Sequence, residues 1–337
     1  MEIRRGIRGP TDTHPDAALI GRLQSTLLST LRALHDGQPY ALLDFPWYAN
    51  VGDSVLWLGA RRALADVTGC DPSYGAGQAN YSTKALAKVL PTGTIYLLGG
   101  GNFGDLYPNH QAFRVRVLRE FPQHRIVQLP QSIHFTSVAS HEEIRHALAM
   151  HGNSVLMVRD RSSHSLASTL GAAAIHLVPD LAFGLGVRTR PHEAHLDRFA
   201  LRRADKESAS DNNADWQPAD RTADWPASII PPLWRRLAYR LTRGTGRVPS
   251  PLPQRAQIAI LDALAARRVA VGERLLSSAQ CVQTDRLHGH LMCLLLGIPH
   301  DVIDNSTGKI SALIDTWTAP STLLRRRPVA GARSPGD

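Results

Sequence analysis

At 337 residues, with 43% hydrophobic and 20% charged residues, the chain is long enough for two domains of ordinary size, each with its own core. No run of eighteen apolar residues is present, so no membrane-spanning helix is expected, and three scattered cysteines (Cys70, Cys281, Cys293) exclude a disulfide framework or a cysteine zinc site. The net charge of +9 favours anionic partners, whereas nucleic acid is set aside because zinc-finger spacing and RNA-binding aromatic signatures are missing and aromatics are only 6%.

Met1-Glu2-Ile3-Arg4-Arg5-Gly6 carries basic residues with no apolar stretch behind them, so no signal peptide is read there and a cytoplasmic setting is expected. Apolar positions at helical spacing predict a helix from about Asp16 to Leu34, then a short strand from Tyr40 to Phe45. Asn50-Val51-Gly52-Asp53 opens a helix to about Asp66. A strand at Thr94–Leu98 runs into the glycine-rich Gly99-Gly100-Gly101-Asn102-Phe103-Gly104-Asp105. A helix from Asn109 to Phe121 leads to the strand Arg125–Leu129, and a helix near His141–Met150 to the strand Ser154–Val158. Ser162–Leu170 reads as helix and Ala174–Val178 as strand. Strands alternating with helices of this length argue for a parallel sheet covered on both faces.

The character changes after Arg188. Phe199 to Glu207 reads as the strand and turn opening a second domain, followed by a polar stretch with two Asp-Trp pairs. A long helix from about Gln254 to Ser278, interrupted or bent near Gly272, precedes the strand Cys281-Val282-Gln283 and an apolar helix ended by Gly297 and Pro299. A strand at Asp301–Ile303 and a helix at Ile310–Trp317 close the pattern. The expected architecture is α/β, two Rossmann-like domains facing a cleft: residues 1–187, residues 188–323 with a basic insertion near 208–253, and a disordered tail at 324–337.

The polar turns follow the strands, on the carboxyl edge where such sheets bind ligands. Arg286 and His288, two apart before the apolar helix, can face one negative group; the alternative is an Asp285–Arg286 ion pair beside a core histidine. Asp53 reads equally as a helix cap and as a base or hydroxyl ligand. Gly99-x-Gly101-x-x-Gly104 matches a dinucleotide fingerprint formally, but the next strand ends in Gln128-Leu129-Pro130-Gln131-Ser132 without an acid for the ribose. A loop admitting some other anion or a sugar fits better, through Gly100, Gly101 and Asn102. His134 is a candidate acid or base, Arg159 an anion ligand, Asp160 structural with Ser162 or Ser163 capping the next helix, and Asp180 a ligand or cap. Asn305, Ser306 and Lys309 form a polar turn whose lysine at a helix start calls for a negative neighbour.

With these segments in order, the chain resembles the polysaccharide pyruvyl transferase family. The likeness is carried by Asn50-Val51-Gly52-Asp53, Leu98-Gly99-Gly100-Gly101-Asn102, Gln131-Ser132-Ile133-His134, Val158-Arg159-Asp160-Arg161-Ser162, Pro179-Asp180, Leu201 to Glu207, Asp285-Arg286-Leu287-His288-Gly289 and Asp304 to Lys309. The resemblance implies a fold similar to GT-B glycosyltransferases and transfer of the enolpyruvyl carbons of phosphoenolpyruvate onto a sugar, as a ketal, with release of phosphate. It implies a lipid-linked oligosaccharide or cell-wall glycan precursor as acceptor, with neither metal nor cofactor. Arg286, Lys309 and Arg159 would then hold phosphate and carboxylate. His288 or His134 would move protons, Asn50, Gly100, Gly101, Asn102, Asn305 and Ser306 would bind substrate, and Asp53 and Asp180 would bind or deprotonate acceptor hydroxyls. A GT-B glycosyltransferase using a nucleotide sugar is the alternative. Within the insertion, Leu233, Trp234, Leu237 and Leu241 beside Arg235, Arg236, Arg240 and Arg243 read either as an ordinary surface helix or as a segment for the inner face of an anionic membrane.

Overall fold

The computed structural model describes residues 14–204, 216–243, 250, 252–304 and 308–325. Asn305 and Ser306, most of the expected tail and the Asp205–Glu207 part of the second-domain turn lie outside the described residues. The chain forms a mixed α/β structure with two parallel sheets.

The first sheet holds seven strands: β1 (Tyr40–Leu43), β2 (Tyr74–Ala76), β3 (Thr94–Leu97), β4 (Gly100–Gly104), β5 (Arg125–His134), β6 (Ser154–Val158) and β7 (Ala174–Leu177). Their order is β2-β1-β3-β5-β6-β7, with β4 pairing the far half of β5. Most of these strands are apolar throughout because both faces are covered. On one face Tyr40, Leu42, Tyr96, Val127 and Met157 pack under α1 (Ala17–Leu34) and α2 (Val51–Thr68). On the other, Ala41, Leu43, Ile95, Leu156 and Val158 pack under α3 (Thr83–Val89), α4 (Pro108–Glu120), α5 (Val138–His151) and α6 (Arg161–Ala167).

The second sheet has five strands in the order β12-β11-β10-β8-β9: β8 (Leu196–Leu201), β9 (Arg221–Ala223), β10 (Ala279–Thr284), β11 (His300–Val302) and β12 (Leu324–Arg325). Leu324 and Arg325, expected in the tail, pair instead with His300 and Asp301, because β11 needs a partner on its open edge. The remaining helices are α7 (Pro232–Arg243), α8 (Gln254–Ser277), α9 (Leu287–Leu296) and α10 (Lys309–Leu313), the last running into a wider turn at Ile314–Thr318. The long α8 is unbroken at Gly272, where a side chain would overlap Val51 and Met292, so this glycine serves close helix packing instead of a bend.

Three helices tie the sheets together; α1 places Leu19, Ile20 and Leu23 in the core of the second sheet and Leu27, Leu31 and Leu34 in that of the first. Val51 and Val55 of α2 and Val269 and Leu276 of α8 belong to the core of the second sheet. Leu56, Trp57 and Ala60 of α2 and Leu261 and Ala265 of α8 belong to that of the first. Among the described residues, no helix is long and apolar enough to cross a membrane, and no group of three or more His, Cys, Asp or Glu side chains is placed to hold a metal ion.

Candidate active site

A cleft of about 550 Å³ opens between carboxyl ends of strands of the two sheets. Its lining includes Asn50, Asp53, Gly101, Asn102 and Arg159 from the first, and Arg286, His288 and Lys309 from the second. Eight of the residues singled out from sequence therefore meet in one place.

The α2 start is built by Asn50, whose side-chain oxygen accepts from the Asp53 N–H at 3.3 Å. Asn50, not Asp53, is thus the cap, and the Asp53 carboxylate lies in the cleft lining near the positive end of the helix dipole. At α6 the cap is likewise Asp160, accepting from Ser163 N–H at 2.7 Å, while Ser163 Oγ accepts from Ile133 N–H. The glycine-rich segment is strand β4 and not a phosphate-cradling loop, because β5 runs five residues further than expected and offers it a partner. Gly104 needs its positive φ and bare Cα, since a Cβ there would collide with the His134 carbonyl. His134 closes β5 outside the cleft lining, so it is not brought to the other candidates.

Arg159 is 2% exposed and Asp180 fully buried, joined Nη1 to Oδ2 at 2.5 Å. Ser132 Oγ accepts from Arg159 Nε at 2.9 Å, and Asp180 Oδ1 accepts from Ala182 N–H at 2.8 Å. Burial pushes the Asp180 carboxyl upward, but the Arg159 guanidinium, the nearby His288 imidazole and the Ala182 N–H outweigh it and hold it at about 2. Asp180 is therefore a fixed anion behind Arg159 and lies outside the cleft lining. The Arg159 guanidinium reaches the cleft floor: a Cβ on Gly101 would lie 3.4 Å from its Nη2 and 3.5 Å from Lys309 Nζ. Lys309 also donates to Gly101 O at 3.2 Å, a backbone carbonyl of the opposite sheet.

Arg286 is gripped by Asp224 in a two-pronged pair through Nε and Nη2. In place of the alternative Asp285–Arg286 ion pair, Asp285 accepts from Arg203 N–H at 2.8 Å, with burial raising the Asp285 carboxyl. His288 sits against Gly52, its Nε2 buried 3.8 Å from Asp180 Oδ2 and without a hydrogen bond among the described residues. That separation is beyond hydrogen-bond range. His290, by contrast, belongs to a buried relay: its Nδ1 is 2.7 Å from His300 Nε2 and its Nε2 2.9 Å from Thr318 Oγ1.

The rest of the cleft wall is aromatic and polar: Phe45, Trp47, Tyr48, Gln78, Tyr107, His110 and Trp225. Sequence reading assigned no role to these. Asp224 and Trp225 appeared only as one of two Asp-Trp pairs, and His110 lies in the first turn of a helix with no neighbouring motif. A buried Arg268 holds the wall in place, donating to the Pro46 and Trp47 carbonyls at 2.6 and 3.3 Å.

Two parallel sheets, with a carboxyl-edge cleft of fixed cations beside an aromatic wall, define an α/β protein suited to an anionic ligand and a second, polar one. The chain belongs to the polysaccharide pyruvyl transferase family, whose sequence profile matches residues 50–307. Among its relatives, "Pyruvyl transferase 1" of Schizosaccharomyces pombe is 33% identical, across 89% of this chain and 75% of that protein. "Putative pyruvyl transferase EpsO" of Bacillus subtilis is 32% identical, across 83% of this chain and 86% of that one. A crystal structure of an uncharacterized protein from Klebsiella pneumoniae has a similar fold, with a TM-score of 0.60 at 15% identity over 90% of this chain and 99% of that one.

Proposed function

We propose that the cleft transfers the enolpyruvyl group of phosphoenolpyruvate to a sugar of a lipid-linked oligosaccharide, forming a pyruvate ketal during exopolysaccharide or cell-wall glycan assembly. One observation carries the donor: Arg159, Arg286 and Lys309 come from both sheets to a cleft that also holds His288. Phosphate and carboxylate of the donor require fixed charges of this kind. Asn305 and Ser306 are assigned to substrate binding by their place in the Asp304–Lys309 segment. The aromatic wall suits a sugar ring, and Asp53 accepts a hydrogen bond from an acceptor hydroxyl. His288 delivers the proton that C3 of the enol gains, C2 takes two sugar oxygens in turn, and phosphate leaves with the C2–O electron pair. In this reading residues 1–187 and 188–323 are two Rossmann-like domains in a GT-B-like arrangement.

Thermal melting with phosphoenolpyruvate, inorganic phosphate and UDP-sugars tests the donor, since a ligand of the folded state raises the melting temperature as it passes its dissociation constant. Stabilisation by phosphoenolpyruvate beyond phosphate, lost in Arg286→Ala, is expected. A response to a UDP-sugar alone would replace this reading with a nucleotide-sugar glycosyltransferase.

For a lipid-linked acceptor, α7 provides the approach to the inner face of the plasma membrane. It buries only Ala238 and Thr242, while Leu233, Trp234 and Leu237 stand exposed among Arg235, Arg236, Arg240 and Arg243. Such a face suits an anionic lipid surface. Sedimentation with phosphatidylglycerol vesicles, reduced by Trp234→Ala with Arg235→Glu and Arg236→Glu, is expected; an intact protein that stays in the supernatant would end this part.

A further inference from the structure

A second imidazole faces the cleft, and nothing in the donor reading uses it. His110, in the first turn of α4, has its Nδ1 2.9 and 3.1 Å from the two carboxylate oxygens of Asp44. Asp44 follows β1, is 5% exposed, and has φ of +70°, the only positive φ at a non-glycine among the described residues. Side chains hold such backbone at a cost of about 1–3 kcal/mol, and such outliers concentrate at functional sites. Gln78 Nε2 donates to Asp44 Oδ1 at 3.0 Å, keeping the carboxylate aimed. The same Gln78 nitrogen lies 2.8 Å from His110 Nδ1, and the remaining neighbours of His110 are the rings of Tyr48 and Tyr107, edge-on, and the amide of Asn102, whose nitrogen is 3.1 Å from Nδ1. Arg114, buried on the same helix, ties that amide to Gln111 and Gln128.

Both oxygens of the Asp44 carboxylate and the amide nitrogens of Gln78 and Asn102 lie within hydrogen-bond reach of Nδ1; the tautomer that donates Nδ1–H to the charged carboxylate leaves the Nε2 lone pair on the cleft side. Asn102, beside this imidazole, follows directly on Gly101, where Arg159 and Lys309 meet. The base and the cations thus flank two consecutive residues of β4.

We propose that His110 Nε2 is the general base that takes the proton of the attacking sugar hydroxyl, with Asp44 as its positioning residue; this rests on the pyruvyl-transfer reading above. As the acceptor oxygen bonds to C2, its proton passes to Nε2, and the imidazolium returns it to the departing phosphate oxygen. The second hydroxyl repeats the transfer. Two hydroxyl protons are lost: one leaves on phosphate, the other balances the proton gained at C3.

The test uses the full-length protein, phosphoenolpyruvate and a panel of p-nitrophenyl hexosides with free O4 and O6, with ketal formation followed by phosphate release. Removing a general base costs roughly 10²–10⁴-fold in rate. His110→Gln is therefore expected to lose at least a hundredfold in kcat, with the phosphoenolpyruvate-dependent rise in melting temperature unchanged. Asp44→Asn, which tolerates the same backbone, is expected to lower kcat and move the acidic limb of its pH profile to lower pH, because the imidazolium loses its counter-charge. A His110→Gln enzyme within threefold of wild type, or one altered only in KM, overturns the proposal. So does an Asp44→Asn limb that stays in place, and this variant decides the matter if the first fails to fold. A wild-type protein that ignores phosphoenolpyruvate, or transfers to no hexoside, refutes the underlying reading instead.

Discussion

Gly52 is the tightest point of the site and offers its sharpest test. It is the second residue of α2, in ordinary helical conformation, so alanine is free of backbone strain and gains helix propensity of up to about 1 kcal/mol. The added methyl would overlap the His288 ring, lying 2.7 Å from Cγ and 2.9 Å from Cβ. Carbon atoms settle at roughly 3.5 Å or more, so the imidazole must retreat by about 0.8 Å. The atoms met belong to the root of the side chain, so a change of rotamer alone does not relieve the clash, and α2 is anchored in both cores. A displacement near 1 Å at a reacting group costs on the order of 10²-fold in rate. Gly52→Ala is therefore expected to fold with a melting temperature within a few degrees of wild type and to lose about 10²-fold in kcat for pyruvyl transfer. A Gly52→Ala enzyme with kcat within threefold of wild type would refute the placement of His288 at the reacting centre.

Arg159→Met leaves the Asp180 carboxylate buried without its main counter-charge, and breaking such a pair typically costs ~3–5 kcal/mol. Urea melts are expected to show that loss, with partial recovery in Arg159→Met/Asp180→Asn; a loss below about 1 kcal/mol would contradict the pairing. The His290–His300 relay predicts a pH dependence of stability. Burial holds His290 well below its usual range and His300 at about 4, so both stay neutral in the folded protein where the unfolded chain begins to protonate. Their contribution is complete above about pH 6.5 and is lost as pH falls toward 4, at up to roughly 1.4 kcal/mol per pH unit for each proton. Urea midpoints at pH 7, 6 and 5 that do not decline would count against it.

Eight of the twelve described parallel strands, most of their helical crossovers and the reactive turns were legible in residue order, because buried strands and amphipathic helices leave local periodicities and because turns after strands collect polar groups, whereas the short β2, β9 and β12 leave too little pattern to read. Asn50, Asp53, Arg159, Arg286, His288 and Lys309 were all visible in this way, and the structure gathers them into one cleft. Strand β4 escaped notice because its glycines resemble a loop until the extended β5 supplies hydrogen bonds. Pairings across long separations left no local trace: Asp224 with Arg286, Asp180 with Arg159 and Asp44 with His110 lie 62, 21 and 66 residues apart. The spanning of both cores by α1, α2 and α8 was equally hidden, since an apolar face does not say which core it will enter. Side-chain chemistry along the chain therefore named most of the cations and the cleft's edge. Which carboxylate each cation would hold, and which histidine would face substrate, depended on burial and distance, which exist only once the chain is folded.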